Sequence, residues 1–338
     1  MLEKYLHQPL ENCILRLKNR LVMPPMATAK SEADGRINQD IVNYYDEKTK
    51  GGYISLVIVE HSYVSAEGKA GNRQLSIAED NLVDSLQKLS DTIHKNGSLA
   101  AMQINHAGSA ASKEVTGMDP VGPSAVANPS KENAVVPRVL TNIEIRSVVN
   151  SFKEAAIRVK KAGFDGVEIH SAHGYLLNQF LSPLTNKRTD EYGGDIRGRI
   201  RIHLDIIQAI REALSDFPIL LRMGATDYME GGLTVEESKE AAYAFEKAGV
   251  DILDISGGMC RYTIPDVQEP GYFSPFSRAI KEVVSIPVIV TGGITQADEA
   301  EAILQDKKAD LVGVGRAIYK DSDWTKNAME SIQRSYTF

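Results

Sequence analysis

VEIHSAHGYLLNQFLSP (residues 167–183) opens as an apolar run and passes at His170 into a cluster of polar rings, His170, His173 and Tyr175. The run, taken as 166–170, is short and aliphatic, which suits a parallel strand buried on both faces. Seven further runs share that character: 21–26, 54–60, 99–104, 219–223, 252–256, 288–291 and 311–315. Amphipathic stretches separate the later ones. Residues 142–162 place Ile145, Val148, Val149, Phe152, Ala156 and Val159 on one 3.6-period stripe, and Thr141 with Glu144 reads as a capping box. Residues 197–214, 234–248 and 296–305 read as helices in the same way. Eight strands with intervening helices are enough to close an α/β fold of the (β/α)8 TIM-barrel type. A doubly wound open sheet is the competing arrangement.

No fixed-period repeat and no linker divides the chain, so residues 1–338 are expected to form a single domain. The longest irregular stretch, 107–140, follows the third strand and is expected to cover the C-terminal face of the barrel, where this fold does its chemistry. Of the 338 residues 43% are hydrophobic and 25% charged, the profile of a globular protein, and a formal net charge of −7 offers nothing to nucleic acid or an anionic membrane. Cys13 and Cys260 are far apart, which argues against a disulfide framework, a zinc site or an iron–sulfur cluster. The N-terminus lacks the apolar core of a signal peptide, and no apolar stretch is long enough to span a bilayer. A cytoplasmic protein is expected.

Strand-end residues of a barrel point into the active-site mouth. Two imidazoles three positions apart, His170 and His173, suit polarisation of one carbonyl oxygen, and the Tyr175 phenol suits proton donation nearby. The pair could instead bind metal or satisfy loop carbonyls. No third ligand stands at a sensible spacing, so no metal is expected. In VIVTGGI (288–294) and LVGVGRAIY (311–319), Gly292, Gly293, Gly313 and Gly315 let backbone N–H groups approach an anion, with Arg316 beside them. These are the loops after strands seven and eight, where TIM barrels commonly hold phosphate. Gln103 and Arg222 end strands three and five in apolar surroundings, and a cation placed as Arg222 is needs an anionic or strongly polar partner.

At these residues the chain resembles the Old Yellow Enzyme family of FMN-dependent NAD(P)H oxidoreductases. The resemblance runs from about Leu15 to Asp323. It is carried by KNRLVMPPM (18–26), VIVEHSYV (57–64), QINHAG (103–108), LLRMGATDY (220–228), the glycines of VTGG and GVGR, DSDW (321–324) and above all HSAHGYLLNQFLSPLTNKRTDEYGG (170–194). It implies FMN as cofactor, NADH or NADPH as reductant, and ping-pong reduction of an alkene activated by a carbonyl or similar group. His170 and His173 would then hold the substrate's electron-withdrawing group, and Tyr175 would give a proton to Cα after flavin N5 gives hydride to Cβ. Pro25, Met26 and Ala27 would line the flavin ring, Gln103 would contact its pyrimidine edge, and Arg222 would lie near N1 and C2=O. Ser256, Gly257 and Gly258 would lie near the ribityl chain. Gly292, Gly293, Gly315 and Arg316 would hold the phosphate.

This chain departs from the pattern in four places. Ala27 stands where the family commonly has Thr or Cys donating to flavin O4, with Thr28 expected to point away. Ala29 replaces a pocket tyrosine of one subgroup, and HAGS (106–109) replaces HAGR. At the second strand end His61 replaces a small residue, and it either supplies the donor that Ala27 lacks or turns away to bond the loop. Three other readings compete. One is the barrel of a larger relative acting on dienoyl-CoA or amines, against which the two cysteines and the end at Phe338 argue. Another is a non-redox barrel for a phosphorylated substrate, and the third is a flavin-binding protein without turnover. The partner is expected to be a small molecule. A homo-oligomer stays open, the tail 334–338 being a poor match for an arginine reaching into a neighbour.

Overall fold

The computed structural model describes residues 4–11 and 13–334. Eight parallel strands close a barrel: β1 (Leu21–Met23), β2 (Leu56–Tyr63), β3 (Leu99–Asn105), β4 (Gly166–Ser171), β5 (Ile219–Gly224), β6 (Ile252–Ser256), β7 (Val288–Thr291) and β8 (Leu311–Gly313). Each strand pairs with its neighbours in chain order, and β1 pairs with β8 (Leu21 beside Val312), which excludes the open sheet. Strand β1 stops at Met23, short of the expected 26, because Pro24 and Pro25 have no N–H to continue a ladder.

Two apolar layers hold the barrel. Leu15, Leu17, Val22, Leu56, Ile58, Ala101, Leu220, Ile252, Ile289 and Leu311 form one buried cluster. Alternation along each strand then sends Gln103, His170, Arg222, Asp254 and Thr291 the same way, one step nearer the C-terminal mouth. The opposite parity packs on the helices, where Ile145, Val148, Phe152, Ala156 and Val159 of the helix Asn142–Lys161 are buried as the sequence stripe predicts. Reciprocal capping boxes start this helix (Thr141, Glu144) and Val235–Ala248 (Thr234, Glu237), while at Ala297–Gln305 Glu299 accepts from the Gln296 N–H. The stretch 197–214, read as one helix, is two, Ile196–Arg199 and Arg201–Leu214.

The stretch 107–140 is less irregular than its composition suggests. It carries a 3-10 turn (Gly108–Ala110), a short helix (Lys113–Thr116) and two short parallel strands, Val121–Gly122 and Arg138–Val139. Asn128 pins it to the C-terminal face through the carbonyl of Gly174, 2.8 Å away. Among the described residues no helix is long and apolar enough to cross a membrane. Residues 335–338 and the side chain of Arg334, on which the C-terminal comparison falls, lie outside the described residues.

Burial of His203 is expected to make the fold acid-sensitive. His203 is wholly buried, with Nε2 2.7 Å from Ser171 Oγ and its ring 5.2 Å from that of Phe245, and burial pulls its pKa down to about 3. The unfolded chain takes up this proton near pH 6.5 and the native chain only near 3. Its contribution is therefore complete above pH 6.5 and is lost progressively as pH falls. His203→Gln should flatten the pH dependence of urea-unfolding free energy between pH 6 and 4 by about 1.4 kcal/mol per pH unit. An unaltered slope would remove His203 from the groups that set acid lability.

Candidate functional site

All eight strand ends open into one cavity of about 560 Å³, within the range of about 300–1,000 Å³ usual for small-molecule sites. Its wall takes Pro24 from the end of β1, His61 from β2, Gln103 from β3, His170 from β4, Arg222 from β5, Ser256 from β6, Thr291 from β7 and Gly313 from β8. Pro25, Met26, Ala27, His173, Tyr175, Gly292, Gly293, Gly315 and Arg316 complete the residues that the sequence pointed to. Gly257 and Gly258 do not line it. A Cβ at Gly257 would stand 2.0 Å from the Arg261 carbonyl and one at Gly258 2.4 Å from Asp227 Oδ1, so both glycines are required by the packing of their own loop.

One wall is a set of rings. His170 lies 5.1 Å from both His173 and Tyr175, edge to face in each case. His173 has a positive φ of 61°, and its Nε2 sits 2.8 Å from Ser256 Oγ. Burial above all, with the adjoining imidazoles and the cation of Arg222 making a second charge here unfavourable, holds both imidazoles well below the usual histidine range, so they stay neutral. Burial also raises the pKa of Tyr175, whose hydroxyl finds no acceptor among the described residues, and the phenol keeps its proton at neutral pH.

His61 reaches the cavity through a break in register. Val59 pairs with Met102 but Ser62 with Ile104, so two residues of β2 face one of β3. The bulge turns His61 into the mouth and leaves Glu60 to accept from the backbone N–H and hydroxyl of Thr28, at 2.9 and 2.7 Å. Thr28 is thereby held away from the cavity, as expected. Gln74 Oε1 accepts from Ala70 N–H and its Nε2 donates to the His61 carbonyl, which fixes the amide orientation. That same amide donates to His61 Nδ1 at 3.0 Å, and Asn105 Nδ2 lies 3.3 Å from the same nitrogen. Nδ1 is thus an acceptor and Nε2 carries the proton. The ring stacks on Tyr175, with centroids 5.3 Å apart. His61 both bonds the loop and presents an N–H to the cavity.

Beneath the mouth lies a charged layer. Arg222 Nη2 donates to Thr291 Oγ1 at 3.0 Å, and its Nε is 3.3 Å from Asp254 Oδ2, near enough for an ion pair but not aligned as a hydrogen bond. Gln103 Nε2 donates to Glu168 Oε1 at 2.8 Å. Burial pushes Asp254 up to about 6 against the pull of Arg222, and burial with the charge of Asp254 drives Glu168 well above the carboxylate range. Glu168 and Asp254 were not singled out from the sequence. The reasoning applied to Arg222 finds them, since each is an acid inside an apolar strand and Asp254 is the register partner of Arg222. Pro24, Arg261, Tyr262, Tyr272, Thr291, Ile294 and Tyr319 also line the cavity without having been expected there.

On the far side, the backbone N–H groups of Gly292, Gly293 and Gly315 donate to no acceptor among the described residues. A Cβ at Gly315 would stand 2.8 Å from Met26 Sδ, so a side chain there would crowd the segment that follows β1 along the cavity wall.

Comparison with known proteins agrees with this geometry. Residues 5–335 match the model of the NADH:flavin oxidoreductase / NADH oxidase family. A curated relative, NADH oxidase of Thermoanaerobacter brockii, is 41% identical over 327 residues, 94% of this chain and 50% of that protein. The chain spans about half the length of the curated relatives it matches. Among solved structures, 2-naphthoyl-CoA reductase in complex with 2-naphthoyl-CoA superposes with a TM-score of 0.90 at 28% identity, over 97% of this chain and 52% of that one. The old yellow enzyme homologue from Zymomonas mobilis superposes with a TM-score of 0.84 at 26% identity, covering 96% of this chain and 92% of that one.

Proposed function

The chain belongs to the NADH:flavin oxidoreductase / NADH oxidase family, with FMN as cofactor and NADH or NADPH as reductant, and we propose that it reduces the C=C bond of an alkene activated by a carbonyl or similar electron-withdrawing group. The observation that carries this reading is the convergence of neutral His170 and His173 with a protonated, unpaired Tyr175 on one wall of the cavity.

The residues present fit FMN. Free N–H groups at Gly293 and Gly315, with the Arg316 guanidinium, suit a phosphate dianion. Gln103 and Arg222 offer an amide and a cation to the polar edge of a flat ring, and Met26 with Pro25 gives it an apolar side. The Ala27 side chain has no donor to offer such a ring, and the Nε2–H of His61, on the same cavity wall, is the side-chain donor that we assign in its place. When bound, FMN supplies the two-electron carrier that accepts hydride from the nicotinamide and yields it to the substrate.

The protein's part follows from its protonation states. A neutral imidazole donates a hydrogen bond without giving up its proton, so His170 and His173 orient and polarise the substrate oxygen. Tyr175 holds the proton that Cα needs once hydride has reached Cβ. Reductant and alkene use the same cavity in turn, which gives ping-pong kinetics. Free Cys13 and Cys260 suit the reducing cytoplasm that we assign as its compartment. The test is anaerobic NADPH consumption with and without cyclohexenone, with the flavin spectrum followed. Consumption that depends on the enone and yields cyclohexanone is expected. A flavin bleached by NADPH and indifferent to enones would sink the alkene reading while leaving the flavoprotein intact.

A further inference from the structure

The segment that leaves β6 returns across the cavity and closes on the glycines of β7. Gly271 N–H donates to the Gly292 carbonyl at 2.6 Å. The ring of the next residue, Tyr272, then lies against both glycines, with ring atoms 2.8 Å from where a Cβ would stand on Gly292 and on Gly293. The absent side chains of this pair therefore make room for an aromatic ring as well as exposing N–H groups.

The Tyr272 hydroxyl is fully used. It donates to the Tyr262 carbonyl at 2.6 Å and accepts from Arg316 Nη2 at 3.0 Å. One phenol thus joins the guanidinium at the end of β8 to the Arg261–Tyr262 segment. Arg261 and Tyr262 line the cavity, and the Tyr262 ring lies 6.1 Å from that of His173. Arg261 has a φ of 64°, a conformation that a non-glycine residue holds only when its surroundings enforce it. Both residues are exposed on their outer side; the Arg261 N–H is held by the Gly258 carbonyl, and the Tyr262 carbonyl by the Tyr272 hydroxyl.

We propose that Tyr272 is a positioning residue that couples phosphate binding at Gly293, Gly315 and Arg316 to closure of the Arg261–Tyr262 wall beside His173. An anion on the remaining N–H groups of Arg316 fixes the guanidinium, the guanidinium holds the phenol, and the phenol holds the Tyr262 carbonyl. The link is reciprocal, so a substrate packed under that wall tightens the cofactor. The inference rests on the placement of the FMN phosphate given above and not on the alkene reading.

The test uses full-length holoenzyme with FMN and the same protein exchanged by dialysis into riboflavin, which lacks the phosphate. Affinities come from flavin fluorescence recovered on dilution, and the wall is followed by trypsin cleavage after Arg261. Wild type should prefer FMN, and FMN but not riboflavin should slow that cleavage. Tyr272→Phe keeps the ring against the glycines and deletes both bonds. It should leave riboflavin affinity unchanged, lower the FMN-to-riboflavin affinity ratio about tenfold, the worth of one hydrogen bond to a charged group, and abolish the FMN-specific protection. Equal affinity for both flavins in wild type would overturn the phosphate placement and the inference with it. A wild-type preference for FMN with the ratio and protection unchanged in Tyr272→Phe, or equal loss of both flavins, would overturn the role of Tyr272 alone.

Discussion

Tyr175→Phe should slow the alkene-dependent half-reaction by about 10²–10⁴-fold, the contribution of a general acid, while flavin reduction by NADPH stays nearly unchanged. The geometry makes the test clean. The phenol hydroxyl holds no hydrogen bond to the described residues, so its removal leaves no orphaned partner, and the ring keeps its contacts with His61 and His170. The two neutral imidazoles cannot stand in, because burial keeps their pKa well below the usual range and they carry no proton to spare. Stopped-flow traces of the two half-reactions separate the cases. Equal slowing of both would mean that the phenol shapes the cavity rather than donating, and the assignment would fall.

How legible all this was depends on the range of the interaction concerned. Strands buried on both faces announce themselves as apolar runs, so β1 to β8 stand within a few residues of where the sequence puts them. The strand parity that sends Gln103, His170 and Arg222 into the mouth is a local property too. His61 is different. Its direction follows from a bulge, and a bulge is a relation between Glu60–His61 and Gln103 on another strand that no single run displays. Tyr272 and Tyr262 lie in a stretch without periodicity, and what matters about them is a contact with Gly292, Gly293 and Arg316 across the barrel mouth. Gly257 and Gly258 show the converse. Glycines after a strand read as ligand-facing, yet these two are required by Arg261 and Asp227. Glu168 and Asp254 were within reach, since a cation such as Arg222 inside an apolar strand demands an acid and two stood on neighbouring strands.

That charged layer sets the last expected result. Arg222→Met should destabilise the protein by about 3–5 kcal/mol at pH 8, the cost of leaving one member of a buried ion pair behind. This is a large share of a typical stability of about 5–15 kcal/mol. The loss should be much smaller at pH 5. Burial already places Asp254 at about 6 with Arg222 pulling it down, and without the cation it rises further. A carboxyl whose native pKa is raised destabilises progressively from its unfolded value of about 3.9 and fully above its native value, so wild type and variant part company only as pH rises past the wild-type value of about 6. At pH 5 the variant buries a neutral acid, and at pH 8 it must bury a charge or hold a proton against the solvent. Asp254→Asn in the same chain removes that charge and also the push that Asp254 exerts on Glu168. The double variant should therefore recover most of the loss at pH 8 and little at pH 5. Urea unfolding of wild type, single and double variants at both pH values decides the matter. A loss independent of pH, or no recovery in the double variant, would show that Arg222 serves the core by packing rather than by its charge.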